Sequence, residues 1–453
     1  MNIRATANGR GHRTALPGWV AVAASLLPVT ARAQHEHSSP PAAAGGGETQ
    51  PPTDPHMHMH MHMQGPLGIP MTREGSGTAW QPDSTPMWAV HGEVGGWGLM
   101  FHENVFVSVD SQSGPRGDTQ FFSSNWLMAM ARHELGPGEI VGRLMVSLEP
   151  LTVRGAGYPL LLETGETWQG APIHDHQHPH DLFSEVAVQY WTAVSNGVGV
   201  LVYAAPAGEP ALGPLAFPHR TSGRSDPLGV IGHHWQDSTH ISYGVLTAGV
   251  FGYRWKLDGS WFNSREPDEN RYDFDLRVPD SYSGRITVNP GDDWSLQASY
   301  GWLKSPEEAD PSESVHRITA SASWNHAVWE DGNWATTAVL GINVPSERSA
   351  TSAWLLETNL DVTRHHTVFQ RFEIVTKTGE DFVLDPSAFE RRFTVAALAA
   401  GYVFSFDPLA GFVPAIGTRG SLNVIGAELE PYYGSRTPVG GVVYVQVRPA
   451  DMR

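Results

Sequence analysis

Apolar and polar residues alternate along much of this chain, and the alternating segments are joined by connections of two contrasting lengths. Residues 295–302 and 317–324 show the pattern, which predicts β-strands with two unlike faces. Short connections, such as Gly-Pro-Gly at 136–138, tend to alternate with long ones near 150–180, 208–238, 267–278, 304–313 and 378–390. Tight turns at one end and long loops at the other are typical of a bacterial outer-membrane β-barrel.

The pattern contains sixteen candidate strands, with fourteen as the alternative count. They lie near residues 97–111, 119–133, 139–149, 181–193, 198–207, 239–250, 255–266, 279–290, 293–303, 314–326, 334–344, 351–363, 367–377, 391–406, 417–429 and 439–449. The predicted fold is therefore all-β, an antiparallel transmembrane barrel whose even strand count places both termini on the periplasmic side. A soluble β-sandwich or propeller is the alternative, but no blade-length repeat is visible.

The placement of tryptophan supports a membrane-spanning barrel. Trp294 and Trp302 have the same parity in one predicted strand, which puts them on one face about 27 Å apart at roughly 3.4 Å per residue. An apolar band of a barrel is about 25 Å tall. The last predicted strand supports a barrel less strongly. Many outer-membrane barrels have a last strand that ends on an aromatic residue, whereas Tyr444 is the only aromatic residue in this one.

The N-terminal part predicts export and a tail. Residues 1–33 combine a basic start, a short apolar core and Ala-Arg-Ala at 31–33, as in a cleaved signal peptide, and the core is too short for a membrane anchor. Residues 34–86 are rich in Pro, Gly, Ser, His and Met and lack apolar periodicity, so we expect a disordered periplasmic tail. The barrel would then comprise residues 87–453. No stretch is long and apolar enough for a transmembrane helix.

Composition narrows the function. The chain has no cysteine and a formal net charge of −18. Disulfides and thiolate metal sites are excluded, so a soft-metal site would have to use Met and His. The acidic balance argues against nucleic-acid binding, which needs a basic surface, and is compatible with attracting cations.

A tract of alternating imidazole and thioether side chains is the first candidate site. Its members are His56, Met57, His58, Met59, His60, Met61, His62 and Met63. In an extended chain the four histidines would lie on one side and the four methionines on the other. Thioethers favour Cu(I), and imidazole accepts copper, zinc or nickel. The alternative is a low-complexity tail without a ligand.

A second run supplies four further candidate ligands of one parity, namely His174, His176, His178 and His180. Asp175 and Asp181 could orient their rings. The run lies at a strand mouth or on a loop folded into the lumen. The neighbouring long loop carries His219, His233, His234 and His240, so a shared metal site, a pH-sensitive constriction or a hydrated loop all fit.

Motifs of enzymes are missing from the sequence. It contains no Gly-x-Ser-x-Gly elbow and no phosphate-binding loop. The paired acids at 292–293 and 307–308 fall in predicted turns or loops, where solvation is the ordinary explanation. We therefore expect a protein that is not an enzyme, with an outer-membrane enzyme acting on lipid or polysaccharide as an alternative.

A signal peptide, a His/Met-rich tail and an acidic barrel without cysteine together resemble the copper-resistance protein B family. The segment Gln-His-Pro-His-Asp-Leu-Phe at 177–183 is instead similar to segments of uncharacterised barrels that accompany metal-efflux systems. The resemblance implies copper binding, sequestration and tolerance at the outer membrane, with zinc or nickel as alternative ions and no organic cofactor. Expected partners are metal ions, outer-membrane lipid and components of a periplasmic metal-efflux system. A general porin-like channel for small solutes is the alternative function.

Overall fold

The computed structural model describes residues 64–307 and 310–450. The signal peptide, most of the predicted tail and the tract at 56–63 lie outside the described residues.

Twenty strands occur in the described part of the chain, and the alternating segments of the sequence form nearly all of them. Numbered in chain order, the strands are β1 (Val90–Val94), β2 (Trp97–Gln112), β3 (Thr119–Phe122), β4 (Asn125–Leu135), β5 (Gly138–Val146), β6 (Tyr158–Trp168), β7 (Ala171–Gln177), β8 (Phe183–Ser195), β9 (Val198–Gly208), β10 (Ser242–Gly252), β11 (Trp255–Asn263), β12 (Ser281–Gly291), β13 (Trp294–Lys304), β14 (Ser314–Trp329), β15 (Gly332–Pro345), β16 (Thr351–Asp361), β17 (His366–Thr378), β18 (Arg392–Ser405), β19 (Phe412–Val424) and β20 (Val439–Pro449).

The helices of the described residues have only three or four residues each, and they lie in the connections. They are Pro66–Gly68, Met71–Arg73, Glu149–Thr152, Phe217–His219, His233–Gln236, Ser238–His240, Pro386–Ala388 and Glu430–Tyr433. Within residues 64–307 and 310–450, no helix has the length and apolarity needed to cross a membrane.

Sixteen strands form a closed antiparallel barrel, as the sequence predicted. The ring runs from β2 through β4, β5 and β8 to β20, and it closes where β20 pairs with β2 in the register Val105↔Val447. Two details differ from the prediction. The candidate strand at 119–133 is interrupted between β3 and β4, and the loop at 150–180 contains its own hairpin, β6 and β7.

Large apolar side chains cover the outside of the barrel. Along β13 the residues of even number face outward, and Trp294 and Trp302 both lie on that face. Trp294 pairs across the strands with Trp324, while Trp302 pairs with Tyr282, so aromatic residues lie towards both ends of the wall. Membrane-spanning barrels contact lipid through an apolar band between two girdles of aromatic residues. The outward-facing apolar residues and the aromatic residues near both ends therefore identify a membrane-spanning barrel.

A charge placed on the apolar face should destabilise the barrel. Leu356 is half exposed near the middle of β16, beside Phe372 of β17. We expect Leu356→Arg to lower the free energy of unfolding in lipid vesicles by about 2–4 kcal/mol, as an arginine near the bilayer midplane does. Leu409→Arg, at an exposed turn, is the matched control and should change it by less than about 1 kcal/mol. Equal effects of the two substitutions would contradict this placement of the lipid belt.

The chain itself fills the lumen. We call the end of the barrel with the short connections the turn end, and the opposite end the loop end. Residues 64–88 pack inside the barrel towards the turn end, where Ser84 donates to carbonyls of Asp292, in the β12–β13 turn, and of β14. Thr78 bonds Asp258 of β11, and Ser76 bonds Glu209, at the start of the long loop after β9. The long loops 147–182 and 209–241 pack against the inner wall. The barrel is thus plugged by its own segments.

The predicted tail of residues 34–86 differs from the structure in its last part. From Gln64 onward the chain is an ordered part of the plug, because the lumen supplies partners that the sequence does not reveal. Arg73 makes a paired contact with Asp83 and is fully buried. Lys256 of β11 donates to the carbonyl of Thr78. The packed unit therefore includes residues on the N-terminal side of the predicted boundary at 87.

Candidate functional site: a histidine cluster in the lumen

The hairpin β6–β7 divides the second histidine run into two pairs. His174 and His176 lie on the more exposed face of β7, and His174 Nδ1 is 2.8 Å from a carboxylate oxygen of Asp175. Asp175 has a φ of 58°, and the strand ends at Gln177, before Pro179, which has no N–H for a ladder. The backbone therefore turns, and the four histidines do not share one face as predicted.

The second pair turns into the barrel and meets histidines of the next long loop. His178 lies with its ring centroid 5.7 Å from that of His234 and 5.9 Å from that of His233. His180 lies 5.2 Å from His240 in the same measure, and His240 lies 5.2 Å from His233. These five residues form what we call the lumen histidine cluster, and two loops far apart in sequence build it.

The geometry of the cluster suits a metal ion. One ring nitrogen from each of His178, His233 and His234 lies within 4.8 Å of the others. Nε2 of His178 and of His234 is buried without a hydrogen-bond partner, and Nδ1 of each ring lies near a carboxylate, that of Glu166 at 3.1 Å and that of Glu266 at 2.7 Å. Burial lowers the pKa of all three imidazoles, that of His233 to about 4, which favours the neutral form whose lone pair can bind a metal. Unpartnered buried polar atoms are costly, and an ion would satisfy them.

Neighbouring oxygens orient the other rings. Asp237 Oδ1 lies 3.0 Å from Nδ1 of His233, and the Asp237 carbonyl lies 2.7 Å from Nδ1 of His240. Glu149 Oε2 lies 2.8 Å from Nδ1 of His180. With Nδ1 held in this way, Nε2 of His180 and of His240 is buried and has no partner. This carboxylate–histidine arrangement is how proteins position imidazole ligands for metals.

Carboxylates surround His234. An oxygen of Glu266 lies 2.7 Å from His234 Nδ1, and Glu307 brings a third ligand atom within 4.8 Å of these two. Burial, followed by the charge of neighbouring carboxylates, raises the pKa of both Glu266 and Glu307 to about 8. A bound cation would relieve that repulsion. Gly165 permits the close packing here, because a Cβ at this position would lie 2.2 Å from the His234 ring.

Buried ion pairs hold the loop that carries His233, His234 and His240 to the barrel wall. Arg220 of this loop bonds Asp237 and Glu357 of β16, each at 2.6 Å. Arg371 of β17 donates to the carbonyls of Leu228 and Gly229, at 2.9 and 2.8 Å. The wall therefore fixes the loop, and the loop fixes the cluster.

The sequence predictions for site residues have mixed outcomes. The tract at 56–63 lies outside the described residues. The structure brings His178 and His180 into the cluster and leaves His174 and His176 outside it. His233, His234 and His240, which the sequence only placed in a neighbouring loop, contribute most of the cluster. Glu307 is close to His234 and packed in the lumen, whereas a solvated loop was expected, because the loop folds inward.

The closed barrel, its apolar belt and its polar plugged lumen define an outer-membrane β-barrel protein. No protein-family profile matches the sequence, and no curated protein matches it. Solved structures with a similar course of the chain are porins and channels, which differ widely from it in sequence. The anion-selective porin from Comamonas acidovorans shares 10% identity, covers 78% of this chain and 99% of its own, and has a TM-score of 0.47.

Two further solved structures resemble the chain to a similar degree. OmpF of Salmonella typhi in complex with daunomycin shares 8% identity over 79% of this chain and 100% of its own, with a TM-score of 0.49. The outer membrane channel DcaP of Acinetobacter baumannii shares 8% identity over 79% of this chain and 98% of its own, with a TM-score of 0.44. At such low similarity, the solutes of these proteins say nothing about this one.

Proposed function

We propose that the protein is a porin-like channel of the outer membrane whose lumen binds a divalent transition-metal ion at the lumen histidine cluster. The observation that carries the proposal is the set of ring nitrogens of His178, His233 and His234, which lie buried within 4.8 Å of one another. Imidazole with carboxylate suits Zn(II), Ni(II) and Cu(II). Copper is one of the ions that this proposal includes, and a role in copper tolerance is part of it.

The position of the cluster supports a role in passage across the membrane. It lies between two loops that fill the lumen, so an ion moving through the barrel would meet it. Passage also requires the loop at 209–241 to move, because Arg220 and Arg371 hold this loop against the wall inside the lumen. A weak site on such a route selects one class of ion, since binding must be strong enough for entry and weak enough for release.

The test is uptake of Zn(II) into proteoliposomes that contain a zinc-sensitive dye. We expect influx that saturates with Zn(II) concentration, because each ion occupies the cluster. The double variant His178→Leu and His233→Leu should remove the saturation, since Leu fills similar volume without a ligand atom. His316→Ala is the control, because His316 is exposed on the outer wall, and it should behave as the wild type does.

The second candidate is a general channel for small solutes, which the polar lumen inside a closed barrel favours. In that case Zn(II) influx would rise linearly, the histidine variants would leave it unchanged, and a neutral sugar would enter by the same route. That set of results would contradict the metal-binding proposal and support the general channel. A failure of all solutes to enter would contradict both.

A further inference from the structure

A cavity in the lumen is lined by methionines of the barrel and of the packed N-terminal segment. It has a volume of about 130 Å³ and lies between residues 71–89, strands β2 and β4, and the loop at 215–224. Six methionines occur in residues 64–307 and 310–450, and all six are at this place. Met71, Met87, Met100, Met128 and Met130 line the cavity, and Met145 packs in one cluster with Met128 and Met130.

The strand register arranges the wall of this cavity. Met100 of β2 pairs with Met130 of β4, and two residues further along His102 pairs with Met128. Met128 pairs in turn with Met145 of β5. Directly paired residues have Cβ atoms about 4.5–5.5 Å apart. The inner face of β2, β4 and β5 thus presents one row formed by His102, Met128 and Met145. The pair of Met100 and Met130 lies beside this row.

Two histidines complete the set of ligand atoms. Nε2 of His219, from the plug loop, lies 3.2 Å from Sδ of Met145. Nε2 of His102 is buried and has no hydrogen-bond partner. The two rings lie 5.8 Å apart between centroids. Metal–nitrogen and metal–sulfur bonds of about 2.0–2.3 Å place two ligands of one ion roughly 3–4 Å apart, which the His219–Met145 pair matches.

The chemistry of these side chains selects a class of ion. Methionine often fills gaps in an apolar core, but core packing does not need an imidazole nitrogen left unpartnered in the same cavity. Thioethers are soft, neutral ligands that select Cu(I), whereas the carboxylates and imidazoles around His234 suit divalent ions. A neutral ligand set also favours a single positive charge. Glu74, a buried carboxylate that also lines the cavity, is already paired with Arg132 at 2.7 Å and with Arg143 at 3.2 Å.

We propose that this cavity, which we call the Met–His pocket, binds a soft monovalent cation, Cu(I) or Ag(I), through Met128, Met145, His102 and His219. This site is separate from the lumen histidine cluster and has different ligands. The inference goes beyond the proposed function, and it holds or fails whether or not the cluster binds a divalent ion.

The experiment measures binding of Ag(I), and of Cu(I) without oxygen, to the full mature chain in detergent by competition with a chromophoric chelator. The histidine–methionine tract at 56–63 would also bind these ions. Every protein compared in this assay therefore carries substitutions that remove all eight potential ligands of the tract. The substitutions are His56→Asn, His58→Asn, His60→Asn and His62→Asn, together with Met57→Leu, Met59→Leu, Met61→Leu and Met63→Leu. In this background we expect one Ag(I) per chain and sulfur neighbours in the X-ray absorption spectrum of bound Cu(I).

The decisive variant is Met128→Leu with Met145→Leu, which nearly conserves volume and removes the thioethers. We expect Ag(I) affinity to fall by at least about tenfold, because loss of a directly bound ligand exceeds the effect of losing a residue behind it. Heat-modified mobility in electrophoresis checks that the variant barrel is folded. An unchanged affinity in the folded variant, or a Cu(I) spectrum without sulfur, would overturn the proposal.

The two sites can be separated in the same assay. His233→Leu with His234→Leu should leave Ag(I) binding unchanged and weaken Zn(II) binding. Met128→Leu with Met145→Leu should instead weaken Ag(I) binding and leave Zn(II) binding unchanged. Loss of Ag(I) binding in the histidine variant would assign the soft ion to the cluster and would also overturn the Met–His pocket. Failure of Zn(II) binding with intact Ag(I) binding would contradict only the proposed function.

Discussion

Arg220→Ala should open the plug. Arg220 is 1% exposed, and its guanidinium contacts Asp237 and Glu357 at 2.6 Å each. The substitution removes the 2.6 Å contacts of two buried carboxylates, although Glu357 keeps Arg371 at 3.2 Å and Asp237 keeps His233 at 3.0 Å. Breaking a buried ion pair typically costs about 3–5 kcal/mol. We expect that cost to act on the loop at 209–241, whereas the barrel wall stays closed by its own strand pairing. Local opening of the loop should therefore become about a hundredfold or more frequent.

Limited trypsin digestion in detergent measures this opening, because cleavage after the buried Arg224 requires the loop to leave the wall. Conductance in planar bilayers gives a second readout, and the variant should show larger or more frequent openings than the wild type. Arg391→Ala is the matched control. Arg391 pairs with Glu428 at 2.5 Å, but both side chains are more than half exposed, so the loss should be below about 1 kcal/mol. Equal protease resistance of the two variants would show that the ion pair does not hold the plug.

The wall of the barrel could be predicted because each strand carries its own signal. One face meets lipid and the other meets the lumen, so alternation survives in residues such as those of β13 and β14. The lumen could not be predicted in the same way. Residues 64–86 have no apolar periodicity. They are ordered because Thr78 and Ser84 bond residues of β11 and β14, and because Ser76 bonds Glu209, just beyond β9. Such partners leave no local pattern in the sequence.

The candidate sites show the same limit. The spacing of His174, His176, His178 and His180 predicted a shared face, but a left-handed residue at Asp175 and the end of β7 before Pro179 send only the last two into the lumen. His233 and His234 join them from a loop more than fifty residues away. The methionines of the Met–His pocket are scattered over residues 71–145. The register of β2, β4 and β5 brings four of them together, and the packed N-terminal segment adds Met71 and Met87.

His234→Leu should have the largest effect on Zn(II) binding. His234 belongs to both groups of ligand atoms in the lumen, one with His178 and His233 and one with Glu266 and Glu307. Loss of this residue should lower Zn(II) affinity by more than about 100-fold, because even residues behind the direct ligands account for 10–100-fold. Isothermal titration of the full chain in detergent measures the affinity. His316→Ala, on the outer wall, should leave it unchanged.

The stability of the same variant separates a metal ligand from a packing residue. Nε2 of His234 has no hydrogen-bond partner. Leu removes only the contact of Nδ1 with Glu266, whose pKa burial raises to about 8, so the Tm of this variant without metal should be close to that of the wild type. Zn(II) at about 100 times its Kd should stabilise the wild type by about 2.7 kcal/mol, because it binds only the folded state, and His234→Leu should lose most of that gain. A lower Tm without metal, together with an unchanged response to Zn(II), would mean that His234 only fills space between the loop and the wall.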